Sequence, residues 1–155
     1  MDVSGEYMVK KHLPDVLEVE RGAWTYTDPD FGQVLHPWHW DEHKFISEVR
    51  RKQTVFYVAC EGPVVGGFAV IAKNKDRSST TIERLVVHPL FRRRGLGSAM
   101  LQEILTRSVS NKFAAQVREH DEDSIAFFKA NGWESKLVRN MYGRDLDGIL
   151  FTRPA

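Results

Sequence analysis

The chain has 155 residues, 42% of them hydrophobic and 28% charged, an ordinary balance for a soluble globular protein and enough for one domain with a real core. Its 22 Lys and Arg against 21 Asp and Glu leave a net charge of +1, so no global field calls for nucleic acid or a membrane surface. Cys60 is the only cysteine, which leaves no intramolecular disulfide; it falls in an apolar strand pattern and reads as a small core residue.

The first six residues lack an apolar signal core, and no run reaches transmembrane length, so the cytoplasm is the simplest expected location. No internal repeat, low-complexity segment or interdomain linker is visible, and a single domain over 1–155 is expected. Residues 7–11 alternate as a short first strand, and 13–23 as a helix with Pro14 in its first turn and Val16, Leu17 and Val19 on its apolar side. Residues 24–37 form a long aromatic stretch broken by Pro29, Gly32 and Pro37. A second helix is predicted over 38–52, where Trp38, Phe45, Ile46 and Val49 share a face. Strands follow at 54–60 and 64–72, joined at Glu61-Gly62-Pro63, and Gly66-Gly67 signals a bulge or a close backbone approach. After a polar loop over 73–79 come a fourth strand at 80–87, a helix ending near 110 and a fifth strand at 113–118. A short helix at 123–131, stopped by Gly132 as a left-handed cap, and strands at 133–142 and 148–153 complete the chain.

The fourth strand feeds the stretch His88-Pro89-Leu90-Phe91-Arg92-Arg93-Arg94-Gly95-Leu96-Gly97-Ser98, which opens a helix. Such a turn can aim several backbone N–H groups and the positive end of a helix dipole at one anion. Gly95 and Gly97 let the backbone approach a phosphate closely, and Arg92, Arg93 and Arg94 add charge. A solvated basic turn would use the same residues, and the spacing matches neither a Walker loop nor a Rossmann turn.

Arg92, Gly95 and Gly97 instead resemble the Arg/Gln-x-x-Gly-x-Gly/Ala signature of the GNAT superfamily of acetyl-CoA-dependent N-acetyltransferases, and the order of elements over nearly the whole chain is similar to that fold. The resemblance implies an α/β (α+β) fold, with a mostly antiparallel mixed sheet of about six to seven strands flanked by about four helices. Its fourth and fifth strands would splay to admit the coenzyme. The chain is most similar to bacterial ribosomal-protein-alanine N-acetyltransferases, through Pro37-Trp38, Val117-Arg118, the segment 125–133, and Arg139-Asn140-Met141-Tyr142 followed by Asp147-Gly148. By that likeness Leu85, Val86 and Val87 align the pantetheine arm and thioester. Arg92, Arg93, Arg94, Gly95, Leu96, Gly97 and Ser98 hold the pyrophosphate, while Asp121 and Phe128 lie near the pantetheine.

The chain departs from those relatives where their chemistry is assigned. Gln116 stands where the family usually has a Glu base and Phe128 where it usually has a Tyr acid; Gln accepts no proton at neutral pH and Phe has none to give. Glu83, in Ile82-Glu83-Arg84-Leu85-Val86-Val87, is the candidate replacement base, placed by period-two alternation on the face of Leu85 and Val87. A strand-edge carboxylate paired with nearby cations is the alternative. Tyr142 is the candidate acid, His120 a spare base, and His88 a contact of the turn.

His39 and His43 lie one helical turn apart, but spacing forces no third metal ligand, so no metal is expected. Trp24, Tyr26, Phe31, Trp38 and Trp40 either form a packed cluster or recognise the acceptor. The expected activity is transfer of acetyl from acetyl-CoA to a primary amine, such as a peptide N-terminus, by direct attack in a ternary complex. The alternatives are a small-molecule amine acetyltransferase and a catalytically impaired coenzyme-binding module. Neither nucleic acid nor membrane is an expected partner, and the chain would be a monomer or homodimer.

Overall fold

The computed structural model describes residues 2–4, 6–51, 53–74, 78–108 and 110–154. A seven-stranded sheet in the order β1-β4-β5-β6-β7-β9-β8 carries the fold, with a separate two-stranded β2–β3 ribbon. The strands of the large sheet are β1 Asp2–Ser4, β4 Thr54–Glu61, β5 Val64–Lys73, β6 Ser79–Val87, β7 Lys112–Arg118, β8 Glu134–Val138 and β9 Gly148–Thr152. The helices are α1 Glu6–Trp24, α2 Glu42–Val49, α3 Leu96–Arg107 and α4 Glu122–Ala130. All pairings are antiparallel except β6 with β7.

Alternation along the strands builds a core on each face. Phe56, Val58, Phe68 and Val70 turn towards α1 and α2, while Tyr57, Ala59, Ala69 and Ile71 join Met100 and Ile104 of α3. Cys60 packs half-buried against the first of these cores. Among the described residues, no helix is long and apolar enough to cross a membrane.

The N-terminal strand lies earlier than expected: β1 pairs Asp2 with Val58 and Ser4 with Phe56, and residues 7–11 belong to α1. Five alternating residues do not fix a strand when the 3.6-residue stripe of Leu13, Val16 and Val19 can draw the helix through them. Pro14 therefore sits inside α1 rather than in its first turn.

The aromatic stretch folds as the ribbon of β2 Thr25–Asp28 and β3 Gly32–Leu35. Pro29 and Gly32, which read as breakers, belong to its turn: the Asp28 carboxylate accepts from the N–H groups of Asp30 (2.8 Å) and Phe31 (3.1 Å), and Gly32 takes φ +74°. Helix α2 starts later than Trp38 because Asp41 caps it, accepting from Lys44 N at 2.9 Å. Gly132, at φ +81°, closes α4 in the left-handed region as expected.

Candidate active site

Strands β6 and β7 pair in parallel only from Ser79 with Lys112 to Ile82 with Ala115. Beyond that point they part, leaving one edge of Leu85, Val86 and Val87 without a β7 partner, although β5 still pairs on the other side. The mixed sheet with splayed central strands is thus borne out.

At the end of β6 the chain turns into α3. His88 caps a short 3-10 turn (Pro89–Phe91), its Nδ1 accepting from Leu90 N at 3.2 Å, and its own N–H donates to Gly66 O at 2.8 Å. Gly66 is the bulged residue of β5, because Ala59 faces Gly67 while Cys60 faces Val65. A Cβ on Gly66 would lie 2.8 Å from Leu96 Cδ2 and 2.9 Å from Phe91 Cδ1, so the bare backbone lets the turn seat on the sheet. Gly95, at φ +79°, then caps α3 with no side-chain acceptor. The first N–H groups of the helix, from Leu96, Gly97 and Ser98, have no intrahelical partners and remain open to an anion.

A cavity of about 510 Å³ runs along this turn. Leu85, Val86 and Val87 form one wall, Arg92, Arg93, Gly95, Leu96, Gly97 and Ser98 one end, and Asp121, Phe127 and Phe128 the opposite wall. Arg92 crosses the opening, donating to Asp123 Oδ2 at 2.6 Å and Val87 O at 3.2 Å. Arg94 does not line the cavity; its guanidinium reaches Glu61 at 3.1 Å. Asp121 caps α4 by accepting from Ser124 N, and burial pushes its carboxyl up from the usual range.

A second cavity of about 280 Å³ adjoins the first, sharing Trp24, Leu85, Val86, Asp121, Ser124 and Phe128. Its walls bring together Lys44, Glu48 and Arg51 of α2, Glu83 and Arg84 of β6, Gln116 and Arg118 of β7, and Tyr142. Glu83 reaches this chamber through a bulge. Val70 pairs with Arg84 but Ile71 with Ile82, so Glu83 is the extra residue and the alternation reverses across it. Ile82, Leu85 and Val87 consequently share the α3 face, and Glu83 turns to the α2 side instead of joining Leu85 and Val87. Burial, and then the Glu48 carboxylate, raise its pKa, opposed by Arg51, Lys44 and Arg84.

Tyr142 arrives on a turn, β8 having ended at Val138 rather than running to residue 142. The Arg-Asn-x-Tyr and Asp-Gly residues build that turn: Asp147 Oδ1 accepts from Asn140 N and Asn140 Oδ1 from Asp145 N, both at 2.9 Å. A Cβ on Gly148 would come within 2.8 Å of Tyr142 Cε2, so glycine seats the ring. Burial raises the phenol's pKa, while Arg118 and Arg84 lower it. Gln116 is exposed on the chamber wall, and Phe128 is 2% exposed, stacked on Phe151 with ring centroids 5.4 Å apart.

Sequence reading missed Glu20. It is 1% exposed, and its carboxylate accepts from Arg84 Nη1 at 3.0 Å, Trp24 Nε1 at 2.8 Å and the Trp40 backbone N–H. Arg84 Nη2 donates to Trp38 O at 2.6 Å, and its guanidinium lies 4.3 Å from the Trp40 ring centroid. The signal was an acid four residues after Val16, on the buried stripe of α1. His120 is exposed and lines neither cavity. His36 stacks between Tyr26 and Trp38, and His39 Nδ1 bonds His36 O. Among the described residues no group of three His, Cys, Asp or Glu is placed to hold a metal ion.

The family model described as the acetyltransferase (GNAT) family matches residues 13–133, a span that takes in both cavities' β6 wall, the glycine turn and α4. The chain belongs to the GNAT family. It is an acetyl-CoA-dependent N-acetyltransferase, with acetyl-CoA as cosubstrate. The [ribosomal protein bS18]-alanine N-acetyltransferase of Escherichia coli K12 is 25% identical over 119 residues, covering 75% of this chain and 78% of that protein. In fold, the GNAT chain matches a crystal structure from Streptococcus mutans UA159 with TM-score 0.73 at 19% identity, over 99% of this chain and 98% of the other. An aminoglycoside 6'-N-acetyltransferase complexed with coenzyme A matches with TM-score 0.67 at 15% identity, over 100% of both chains. The residues present suit the cosubstrate's diphosphate: a Cβ at Gly95 would meet nothing within 4 Å, so space stands open before the uncapped α3 terminus.

Proposed function

We propose that this enzyme acetylates a primary α-amine, such as that of a peptide N-terminus, by direct attack within a ternary complex. The observation that carries the reading is the continuity of the two cavities through Leu85, Val86 and Phe128. A coenzyme held by its diphosphate at Gly95, Gly97 and Ser98 and extended along β6 delivers its thioester beside Glu83 and Tyr142.

Acetyl-CoA supplies the activated acetyl group, and the chain supplies position and proton transfer. Glu83, acting directly or through water, takes a proton from the ammonium so that the neutral nitrogen attacks the thioester carbon. The N–C bond forms, the C–S bond breaks, Tyr142 gives a proton to the departing sulfur, and the second proton of the attacking nitrogen passes to the Tyr142 phenolate, leaving amide, thiol and a protonated Glu83. An α-ammonium has a pKa of about 8 against about 10.4 for a lysine side chain, which suits a carboxylate base. The backbone of Leu85, Val86 and Val87, which has no β7 partner on the cleft side, aligns the arm and thioester. Cys60 lines neither cavity, which favours direct attack over an acetyl-cysteine.

The test is incubation with acetyl-CoA and a pooled panel of peptide N-termini and small amines, read by mass spectrometry. The proposal expects acetyl on α-amines. Acetyl on lysine side chains alone, or coenzyme binding with no acetylated amine, would overturn it.

A further inference from the structure

We propose that the chamber recognises a carboxylate carried close to the reacting amine, and that Arg118 binds it. The inference deepens the function proposed above, since it takes the second cavity as the acceptor site.

It starts from the pairing of charges on the chamber wall. Lys44 and Arg51 both bind Glu48, at 2.9 and 3.0 Å. Arg84 is held by Glu20 at 3.0 Å and by Trp38 O at 2.6 Å. Arg118 differs: among the described residues it meets no carboxylate, and its titratable neighbours are the neutral Tyr142 phenol and a second cation, Arg84. Even the exposed Arg92 and Arg94 have acidic partners.

The geometry around Arg118 says which part of it is spare. Its guanidinium carbon lies 4.1 Å from the Tyr142 ring centroid and 5.0 Å from that of Trp38. Those contacts hold the group against two aromatic rings, and among the described residues none of its five N–H donors has a hydrogen-bond acceptor. A rigid fork of donors with no internal acceptor suits two carboxylate oxygens. In the same corner the buried Trp38 indole N–H has no acceptor among the described residues, so donors exceed acceptors there.

Glu83 is the complementary acid, in the same chamber but on β6; among the described residues it makes no direct ion pair, although Arg51, Lys44 and Arg84 bear on it at longer range. The two strands have parted beyond Ile82 and Ala115, and Arg118 stands three residues past that point, about 10 Å along β7. An ammonium at Glu83 and a carboxylate at Arg118, both on the wall of one chamber, describe a zwitterionic acceptor. Free α-amino acids present that chemistry, and so do peptides beginning with Asp or Glu.

The experiment compares α-amino acids with their α-carboxamides, and tripeptides beginning with Asp or Glu with their Asn or Gln counterparts. Acetylation rates are measured with acetyl-CoA, and equilibrium binding is measured by calorimetry in the presence of coenzyme A. The proposal expects at least roughly a tenfold preference for the carboxylate member in one of the two series, which also identifies the source. Arg118→Gln should abolish the preference without changing coenzyme affinity, and Arg118→Lys should retain part of it. Selective binding without turnover would keep this inference and remove the proposed acetylation. Equal or undetectable binding of both members in both series would overturn it, as would an Arg118→Gln variant that weakens both members alike.

Discussion

Glu20 carries a carboxylate into the α1 face of the core, where four hydrogen bonds converge on it from Trp24, Trp40 and Arg84. Burial pulls its pKa up and that of Arg84 down, so each charge persists because the other is present. Glu20→Gln keeps the shape but replaces an acceptor oxygen with an NH2 group facing donors, and strands the Arg84 guanidinium. We expect a loss of about 3–5 kcal/mol in urea unfolding; a loss below about 1 kcal/mol would mean that the pair behaves as a surface ion pair. At this scale the sequence was partly legible. The carboxylate before the glycine turn could be singled out as Glu83, but its face could not, because the bulge depends on pairing with β5. Glu20 was hidden because its partner lies 64 residues away.

At the scale of elements, glycine turns fix where β6 hands over to α3. Gly95 takes φ +79° with open space around its Cβ position, whereas a Cβ on Gly67 would press to 2.8 Å from the backbone oxygen of Val86. Gly95→Ala therefore meets a local backbone cost of about 1–2 kcal/mol. Gly67→Ala must move a strand that walls the cleft. Both should unfold earlier in denaturant, and only Gly67→Ala should also shift Tyr142 and the chamber residues in chemical-shift maps. Equal perturbation of the chamber by the two variants would contradict this division. The central strands, the glycine turn and the α4 cap were legible because their signals are local. The β2–β3 ribbon was not, since Pro29 and Gly32 mark a hairpin turn as well as they mark a broken loop. The turn bearing Tyr142 was read as strand because Asn140 and Asp147 close it across seven residues.

Across the whole molecule, parallel pairing of β6 and β7 stops after four residue pairs, and the gap it leaves is the proposed active cleft. The chamber behind that gap draws on α1, α2, β6, β7 and the turn after β8, so the acid–base behaviour of Glu83 is set by the assembled fold. Its raised pKa means that the proton-accepting form accumulates only as pH rises through a value above the ordinary carboxylate range. The rate should therefore climb with pH on the acid side. The fold class and the glycine turn were legible in the chain, whereas the second chamber was not, because its charges come together only through long-range pairing. The most direct test is the pH dependence of kcat/KM for the native enzyme and for Glu83→Gln, using an acceptor found in the panel. We expect a drop of about 100-fold or more and loss of the acid limb in the variant, with coenzyme affinity unchanged. A variant that keeps the native rate and the native acid limb would contradict the assignment of Glu83 as the base.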